Sequence, residues 1–169
     1  QINDFLPGND PIAAQPPLGG ENIRLASLAS VLGVRESRHV LGGVVLDQDD
    51  ILEGRVPEDT IACCAYAIDL HGGKGKTGTL FLTVRDGAYY GIPYRALVPR
   101  QVENLLVAGR CISATSLAAA SLRVMPPAMA TGEAAGVAAA LAVKNGILPR
   151  QVSHDELRSV LRATGAFVG

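Results

Sequence analysis

The segment that most constrains the fold is residues 123–143, RVMPPAMATGEAAGVAAALAV. Pro126 and Pro127 stand together near its start, and Glu133 is the single charge among the small residues that follow. Proline suits the first turn of a helix, where its missing N–H would have no partner, and the pair Asn145-Gly146 is typical of a helix end. The segment therefore predicts a helix that carries almost no large side chains.

This helix is too short for a membrane span, which needs about 20 predominantly apolar residues. Gly132 and Gly136 inside it cost roughly 1 kcal/mol each relative to alanine. A sequence tolerates such glycines where another backbone or a ligand must come close. We therefore expect a buried helix of a soluble protein, approached along one face or at its N-terminal end. Tight packing of the helix on a sheet, without a ligand, is the simpler alternative.

The composition narrows the class of protein further. The 169 residues suit one ordinary domain, and a net charge of −1 without a basic stripe argues against nucleic acid or a membrane as partner. Cys63 and Cys64 are adjacent and Cys111 is distant, a spacing that predicts neither disulfides nor a metal site and favours a reduced, cytoplasmic setting. The first residues do not read as a signal peptide. Few aromatic residues and many glycines and alanines favour a nucleotide-binding α/β architecture.

Apolar periodicity and turn residues predict the order of the remaining elements. The run VENLLVAG at 102–109 is mostly apolar and ends in glycine, as in a parallel strand that is buried on both faces. The motif S-x-x-E that starts at Ser153 is a capping box. The predicted elements are a helix at 21–32, strands at 40–46 and 65–71, a hairpin of 79–84 and 88–94, a parallel strand at 102–109, the alanine-rich helix, and a helix from Ser153 to Gly165.

One strand carries a candidate catalytic pair. Alternation along AYAIDLH at 65–71 places Asp69 and His71 on the same face. Histidine titrates near neutral pH, and a neighbouring carboxylate can orient or charge it, so the pair could exchange a proton with a substrate or contact it directly. A structural hydrogen bond at the strand end is an equally good interpretation.

Other patterns give weak or negative signals. The stretch HGGKGKTG at 71–78 lacks the spacing of a phosphate loop, and a strand-like run rather than a helix follows it. A dinucleotide fingerprint, G-x-G-x-x-G between a strand and a helix, is absent from the sequence. Arg35 and Arg38 are expected to be solvated or paired with Glu36. Cys111 is expected to be a small buried apolar residue.

The run ENLLVAGRCISATSLAAASLRVMPPAMATGEAAGVAAALA resembles the C-terminal flavin-binding segment of FAD-dependent oxidoreductases with a glutathione-reductase-type dinucleotide fold. The blocks GVRESRHVLGGVVLDQDDI, AIDLHG, YYGIPYRALVP and VSHDELRSVLRATGAFV resemble other parts of that family in the same order. The resemblance spans about residues 21 to 168. It implies an α/β chain in which residues 1–95 form a β-rich, substrate-side region and residues 96–169 form the C-terminal part of an FAD-binding domain.

The resemblance also implies where the cofactor would lie. Gly109 and Arg110 would stand beside the ribityl chain and pyrophosphate, and Gly132 would border the cofactor. A helix N-terminus carries free N–H donors and about half a positive charge, which suits the flavin edge that gains negative charge on reduction. The residues implied along the isoalloxazine are Arg123, Val124, Met125 and Pro126, followed by Pro127, Ala128 and Met129 at the start of the helix.

The implied reaction is hydride transfer from a small-molecule substrate to FAD, in which Asp69 and His71 handle the proton or orient the substrate. Related sequences frequently have histidine after the CISAT element, where this chain has Ser116 and Leu117, so His71 is the best remaining base.

The family's N-terminal βαβ unit, which holds the ADP half of FAD, is absent from the sequence. A missing N-terminal half or a separate subunit is therefore expected as a partner, and the chain alone is expected to be inactive and to bind FAD weakly. Association into a homo-oligomer is left open. The alternative function is a non-catalytic α/β interaction module without bound flavin.

Overall fold

The computed structural model describes residues 27, 30, 31, 33–71 and 79–169. Its main compact unit is Val34–Gly169. The helix predicted at 21–32 lies, apart from isolated positions, outside the described residues. The helices are α1 (Gln48–Glu53), α2 (Ser116–Leu122), α3 (Met125–Asn145) and α4 (His154–Ala163), and the strands are β1 (Thr60–Cys64), β2 (Ile68–His71), β3 (Thr79–Leu82) and β4 (Tyr90–Pro93).

The described strands form two separate antiparallel pairs. Strand β1 pairs with β4, so that Cys63 lies opposite Gly91, and β2 pairs with β3, so that Asp69 lies opposite Phe81. The predicted hairpin of 79–84 and 88–94 is therefore wrong, although both strands exist and a turn joins them.

The connection between β3 and β4 explains why these two strands do not pair. Arg85 N–H donates to the Leu52 carbonyl at 3.0 Å, and Gly91 N–H donates to the Arg55 carbonyl at 2.8 Å. Both acceptors belong to α1 or to the residues that follow it, so the turn is attached to that helix. Each strand then finds its partner elsewhere, because tertiary contacts override the local hairpin signal.

The prediction of a strand at 40–46 is also wrong. Its residues make only two isolated bridges, Gly42 with Pro99 and Leu46 with Ala114. A Cβ at Gly42 would lie 2.8 Å from the Arg95 carbonyl oxygen, so glycine is needed for this close approach. The segment runs against turns rather than along a neighbouring strand.

The parallel strand predicted at 102–109 is not formed in the described part of the chain. Val107 N–H donates to the Leu97 carbonyl at 2.9 Å, but no described strand runs beside the segment, and Val102 and Leu105 are exposed. An apolar run becomes a strand only when another strand satisfies its backbone groups.

The alanine-rich helix is confirmed as α3, but only one side of it is buried. Gly146, with φ of 63°, ends the helix in the left-handed conformation that glycine accepts most readily. The buried positions recur every three or four residues, so α3 packs one stripe against β1 and α4 and exposes the other. Those buried positions are Pro127, Thr131, Ala134, Ala138, Leu141 and Ala142.

Helix α4 begins after Ser153, as the capping motif predicts, and it packs onto the core. The Ser153 hydroxyl accepts a hydrogen bond from Glu156 N–H at 3.4 Å, and Leu157 and Leu161 are buried. Two helices were not predicted from the sequence. Asp47 caps α1 through a reciprocal capping box with Asp50, and the side chain of Thr115 caps α2.

The mixture of helices and strands is compatible with an α/β class. The partial dinucleotide fold and the division at residues 95 and 96 stay predictions.

Candidate functional site

The candidate site lies around the first turn of α3. Val124 is extended and precedes the helix, Met125 begins it, and Pro126 and Pro127 follow. Neither proline has a backbone N–H, and Ala128 N–H already donates to the Val124 carbonyl at 3.3 Å. The first turn therefore offers fewer N–H donors than an ordinary helix start, and its attraction for negative charge comes mainly from the helix dipole.

Thr131 fixes the turn at Gly109 against this helix. The Thr131 hydroxyl donates to the Pro127 carbonyl at 2.8 Å and accepts from Gly109 N–H at 2.9 Å. Gly109 has a φ of 69°, a conformation that favours glycine. The turn Gly109–Cys111 is thereby held beside the start of α3. The place of Gly109 and Arg110 beside the ribityl chain and pyrophosphate stays a prediction.

Arg123 connects the end of α2 to β2. Its Nη2 donates to the Asp69 backbone carbonyl at 2.8 Å, and its Nη1 lies 3.9 Å from Glu36 Oε2. The carbonyl is neutral and the contact with Glu36 is long. The guanidinium is therefore firmly positioned, mainly by a neutral acceptor.

Glu36 lies at the centre of a small polar cluster. His39 Nε2 is 3.2 Å from its Oε1, and His39 Nδ1 is 3.1 Å from the Ile112 carbonyl oxygen. Burial raises the pKa of Glu36, but hydrogen bonds from Ser116 and His39 and the charges of His39 and Arg123 outweigh this effect and lower the pKa below its usual 4.5. Glu36 is therefore ionised at neutral pH.

Two open clefts flank the α3 tip, and Tyr66 borders both. The first is mostly apolar, with a volume of about 580 Å³. Its lining residues are Ile61, Ala62, Cys63, Cys64, Ala65, Tyr66, Pro126, Pro127, Ala130, Glu133, Leu161, Ala166 and Phe167. The second, which we call the arginine pocket, has a volume of about 300 Å³. Its lining residues are Arg35, Tyr66, Asp69, Arg110, Ala120, Arg123 and Val124.

A chain of hydrogen bonds fixes Tyr66 between the two clefts. The Ser121 hydroxyl donates to the Tyr66 backbone carbonyl at 2.6 Å and therefore accepts from the Tyr90 hydroxyl, also at 2.6 Å. Burial raises the pKa of Tyr90 far above its usual value, so this hydroxyl stays a donor.

The structure brings several of the predicted site residues together. Asp69, Arg110, Arg123 and Val124 line the arginine pocket. Pro126 and Pro127 line the apolar cleft. The side chains of Met125 and Met129 are 79% and 73% exposed at the helix tip. Whether they contact a cofactor stays a prediction.

The other predicted residues have simpler surroundings. Ala128 is half-buried behind the tip, and Gly132 is exposed one turn further along α3. A Cβ at Gly132 or Gly136 would meet no described atom within 4 Å, so the close approach expected at these glycines is not made by the described residues.

The candidate catalytic pair is only partly visible. The Tyr66 hydroxyl donates to Asp69 Oδ2 at 3.5 Å. Asp69 and His71 occupy alternate positions of β2, as predicted, but the structure describes only the backbone of His71. The catalytic role of the pair therefore stays a prediction.

Several residues around the candidate site could not be predicted from the sequence. Arg35 borders the arginine pocket, whereas Glu36 pairs with His39 and Arg123 rather than with the neighbouring arginines. Only the alternation of charges in GVRESRHV drew attention to this segment, and it does not reveal which distant residues lie nearby. Thr131 was missed because its role depends on the Gly109 turn.

The remaining features of the chain are the state of its three cysteines, possible metal ligands and possible membrane spans. All three cysteines are free thiols, and Cys111 is exposed rather than buried, which corrects that prediction. In the part of the chain that the structure describes, no group of histidine, cysteine, aspartate and glutamate residues could hold a metal ion. No described helix is both long and apolar enough to cross a membrane.

Comparison with known proteins adds one finding to this geometry. Searches of curated proteins and of solved structures gave no match. The sequence model of one family, FAD dependent oxidoreductase, matches residues 2–161, which is nearly the whole chain. The chain therefore belongs to the FAD-dependent oxidoreductase family, and FAD is the cofactor that this membership implies.

Proposed function

We propose that this chain forms the flavin-facing side of an enzyme that transfers hydride from a small-molecule substrate to FAD. One observation carries the proposal: the N-terminal tip of α3 is accessible and lies between an apolar cleft and a pocket lined by arginines. A flavin enzyme needs both environments, because the flavin ring system is largely apolar while its pyrimidine edge and a reacting substrate are polar or charged.

The residues at the tip fit such a group. Met125 and Met129 expose apolar side chains one turn apart, and unbranched methionines adapt their shape to a flat surface. A Cβ built at Gly109 would have Ala128 Cβ, at 3.8 Å, as its nearest described neighbour, so the turn beside the helix is uncrowded. The α3 tip therefore offers both contact surface and space.

When bound, FAD supplies the hydride acceptor. The chain's contribution is electrostatic and geometric. The dipole of α3, a helix of 21 residues, places partial positive charge at Met125. The guanidinium of the neighbouring Arg123 adds a full positive charge. Both favour negative charge beside the tip, as reduction of the flavin would create.

Asp69 and His71 are the proposed proton-handling residues. The carboxylate of Asp69 borders the arginine pocket and is within reach of the Tyr66 hydroxyl, so it could accept a proton from a substrate or orient it. His71 is two residues further along β2, on the same face by strand alternation.

Residues beyond these 169 are proposed to hold the ADP half of FAD, because the sequence has no G-x-G-x-x-G between a strand and a helix. The glycines at 73–78 match the pattern in spacing, but strand β3 rather than a helix follows them. An N-terminal half of the same polypeptide or a second subunit would supply them. The exposed apolar side of α3 is consistent with such a partner.

The test is the visible absorbance of the purified whole gene product. The enzyme predicted here is yellow, and the flavin absorbance bleaches when substrate is added without an electron acceptor. A protein that stays colourless after reconstitution with FAD would contradict the proposal and favour a non-catalytic interaction module.

Replacing His71 with alanine tests its role within the coloured protein. We expect a fall in the bleaching rate of about 10²-fold or more with the flavin still bound, as for loss of a general base. His154→Ala, a change at the first residue of α4, is the matched control and should leave that rate unchanged. An unchanged rate in His71→Ala would remove this residue from the mechanism.

A further inference from the structure

The arginine pocket is lined by three arginines that come from different parts of the chain. Arg35 belongs to the segment before α1, Arg110 to the turn Gly109–Cys111, and Arg123 to the end of α2. Like charges repel, so three arginines around one concave surface are favourable only where negative charge lies close to them. Tyr66 and Asp69 complete the polar wall.

Two of these arginines are held in place by neutral acceptors. Arg110 Nη1 donates to the Val34 carbonyl at 2.7 Å, and Arg123 Nη2 donates to the Asp69 carbonyl at 2.8 Å. A carbonyl orients a guanidinium without cancelling its charge. Arg35 makes no ion pair or side-chain hydrogen bond within the described part of the chain. Its donors remain available to a ligand.

The charged residues that the structure describes indicate the charge of the anion. Asp69 lines the pocket, and Glu36 lies 3.9 Å from Arg123, so two described carboxylates accompany three described arginines. The difference among these residues, three minus two, is one positive charge. A singly charged ligand matches this difference more closely than a diphosphate does.

We propose that the arginine pocket binds the carboxylate group of the substrate. Arginine can bind a carboxylate through two parallel N–H···O bonds, which fixes orientation as well as position. Val124, the residue before α3, lines the same pocket, so a molecule held there lies beside the helix tip. This inference rests on the proposed function and specifies its substrate class as small carboxylic acids.

The test is calorimetric titration of the whole gene product, after its flavin content has been measured by absorbance. The probes are glycolate, acetate and succinate as carboxylates, and pyrophosphate and ADP as phosphates. We expect at least one carboxylate to bind and to perturb the flavin spectrum. Pyrophosphate should not reduce the affinity for this carboxylate.

Arg35 is the best position for a variant because its exposed side chain has no structural partner in the described chain. Arg35→Gln should weaken carboxylate binding by about 10-fold or more, the usual effect of losing a charge-assisted hydrogen bond. Arg35→Lys keeps the charge but loses the planar guanidinium group. Its affinity for the carboxylate should lie between those of the wild type and Arg35→Gln. Arg85→Gln, at an exposed arginine outside both clefts, is the matched control and should bind as the wild type does.

Two results would overturn the inference. One is equal carboxylate binding by the wild type and Arg35→Gln. The other is binding of pyrophosphate or ADP, but of no carboxylate, that Arg35→Gln weakens, since this would assign the pocket to the phosphates of FAD. Either result in a yellow protein leaves the flavin proposal intact, whereas a colourless protein contradicts that proposal independently of the calorimetry.

Discussion

At the scale of single residues, Thr131 has the clearest structural role near the site. Its hydroxyl joins Gly109 N–H to the Pro127 carbonyl, and the side chain is buried. Thr131→Val keeps the shape but leaves Gly109 N–H without this acceptor. We expect a loss of about 1–3 kcal/mol in the free energy of unfolding, measured by urea denaturation.

Thr131→Ser is the matched control, because it retains the hydroxyl and loses only a methyl group. Its free energy of unfolding should remain within about 1 kcal/mol of the wild-type value. Equal stability of Thr131→Val and the wild type would show that the Gly109 turn does not depend on this contact.

Asp59 should make stability depend on pH. Its buried carboxylate accepts from Arg95 Nε at 2.9 Å and from Arg95 Nη2 and N–H at 3.1 Å. Burial raises the pKa of Asp59, but the Arg95 hydrogen bonds and charge outweigh burial and hold the pKa below its usual 3.8. The folded state therefore binds this proton less readily than the unfolded state does.

A lowered carboxyl pKa stabilises the fold above pH 3.8 and loses this effect as the pH falls through the folded-state value. Unfolding of the wild type and of Asp59→Asn between pH 2.5 and 6 checks the sign. We expect Asp59→Asn to be less stable near pH 6 and to show a shallower decline in acid. Parallel curves would contradict this account of Asp59.

The positions of individual residues on their elements could be predicted where local patterns determine them. The spacing of Asp69 and His71 follows from strand alternation, and the place of Pro126 and Pro127 follows from helix geometry. Arg35 and Thr131 gave no local signal. Their significance depends on neighbours that are distant in sequence, such as the Gly109 turn for Thr131.

At the scale of elements, the exposed side of α3 offers a sharp test of the cofactor placement. Gly132 lies on this side, and no described atom lies within 4 Å of the position that a Cβ would take, so Gly132→Leu should fit the described structure. Replacing a helical glycine should increase stability by up to about 1 kcal/mol. We nevertheless expect loss of flavin absorbance, because the leucine would occupy space assigned to the cofactor.

Ala163→Leu, at an exposed position of α4, is the matched control and should remain yellow. Thermal unfolding of both variants separates loss of flavin from loss of fold. A stable, fully coloured Gly132→Leu protein would place the cofactor away from this side of α3.

Helices were predicted better than strands for a physical reason. A helix satisfies its backbone hydrogen bonds within one segment, so Pro127, Gly146 and Ser153 mark helix ends locally. A strand needs a partner that its own sequence does not specify. The segments 40–46 and 102–109 have strand-like composition but meet turns or lack a described neighbour.

At the scale of the whole molecule, one side of α3 lacks a described partner. Exposed small or apolar residues recur along it every three or four positions, the pattern of a helix-packing surface. Beyond Met125, Met129 and Gly132, which we assign to the cofactor, they are Gly136, Ala139, Ala140 and Val143. The mixed fold and the family could be predicted from the sequence, whereas neither the sequence nor the described residues show what contacts this surface.

A further prediction concerns whether these 169 residues suffice to bind FAD tightly. The 169 residues expressed alone should bind FAD at least about 10-fold more weakly than the whole gene product or the complex with a second subunit, because the ADP half would lack its site. Fluorescence titration with FAD measures both dissociation constants. Equal affinities would show that these residues suffice.

The most direct test of the account is a structure of the whole gene product with FAD bound. We predict atoms of the isoalloxazine within about 4.5 Å of residues 123–129, with its pyrimidine edge at the N-terminal tip of α3. An isoalloxazine bound elsewhere, with Met125 and Met129 covered by another protein segment, would contradict the central claim.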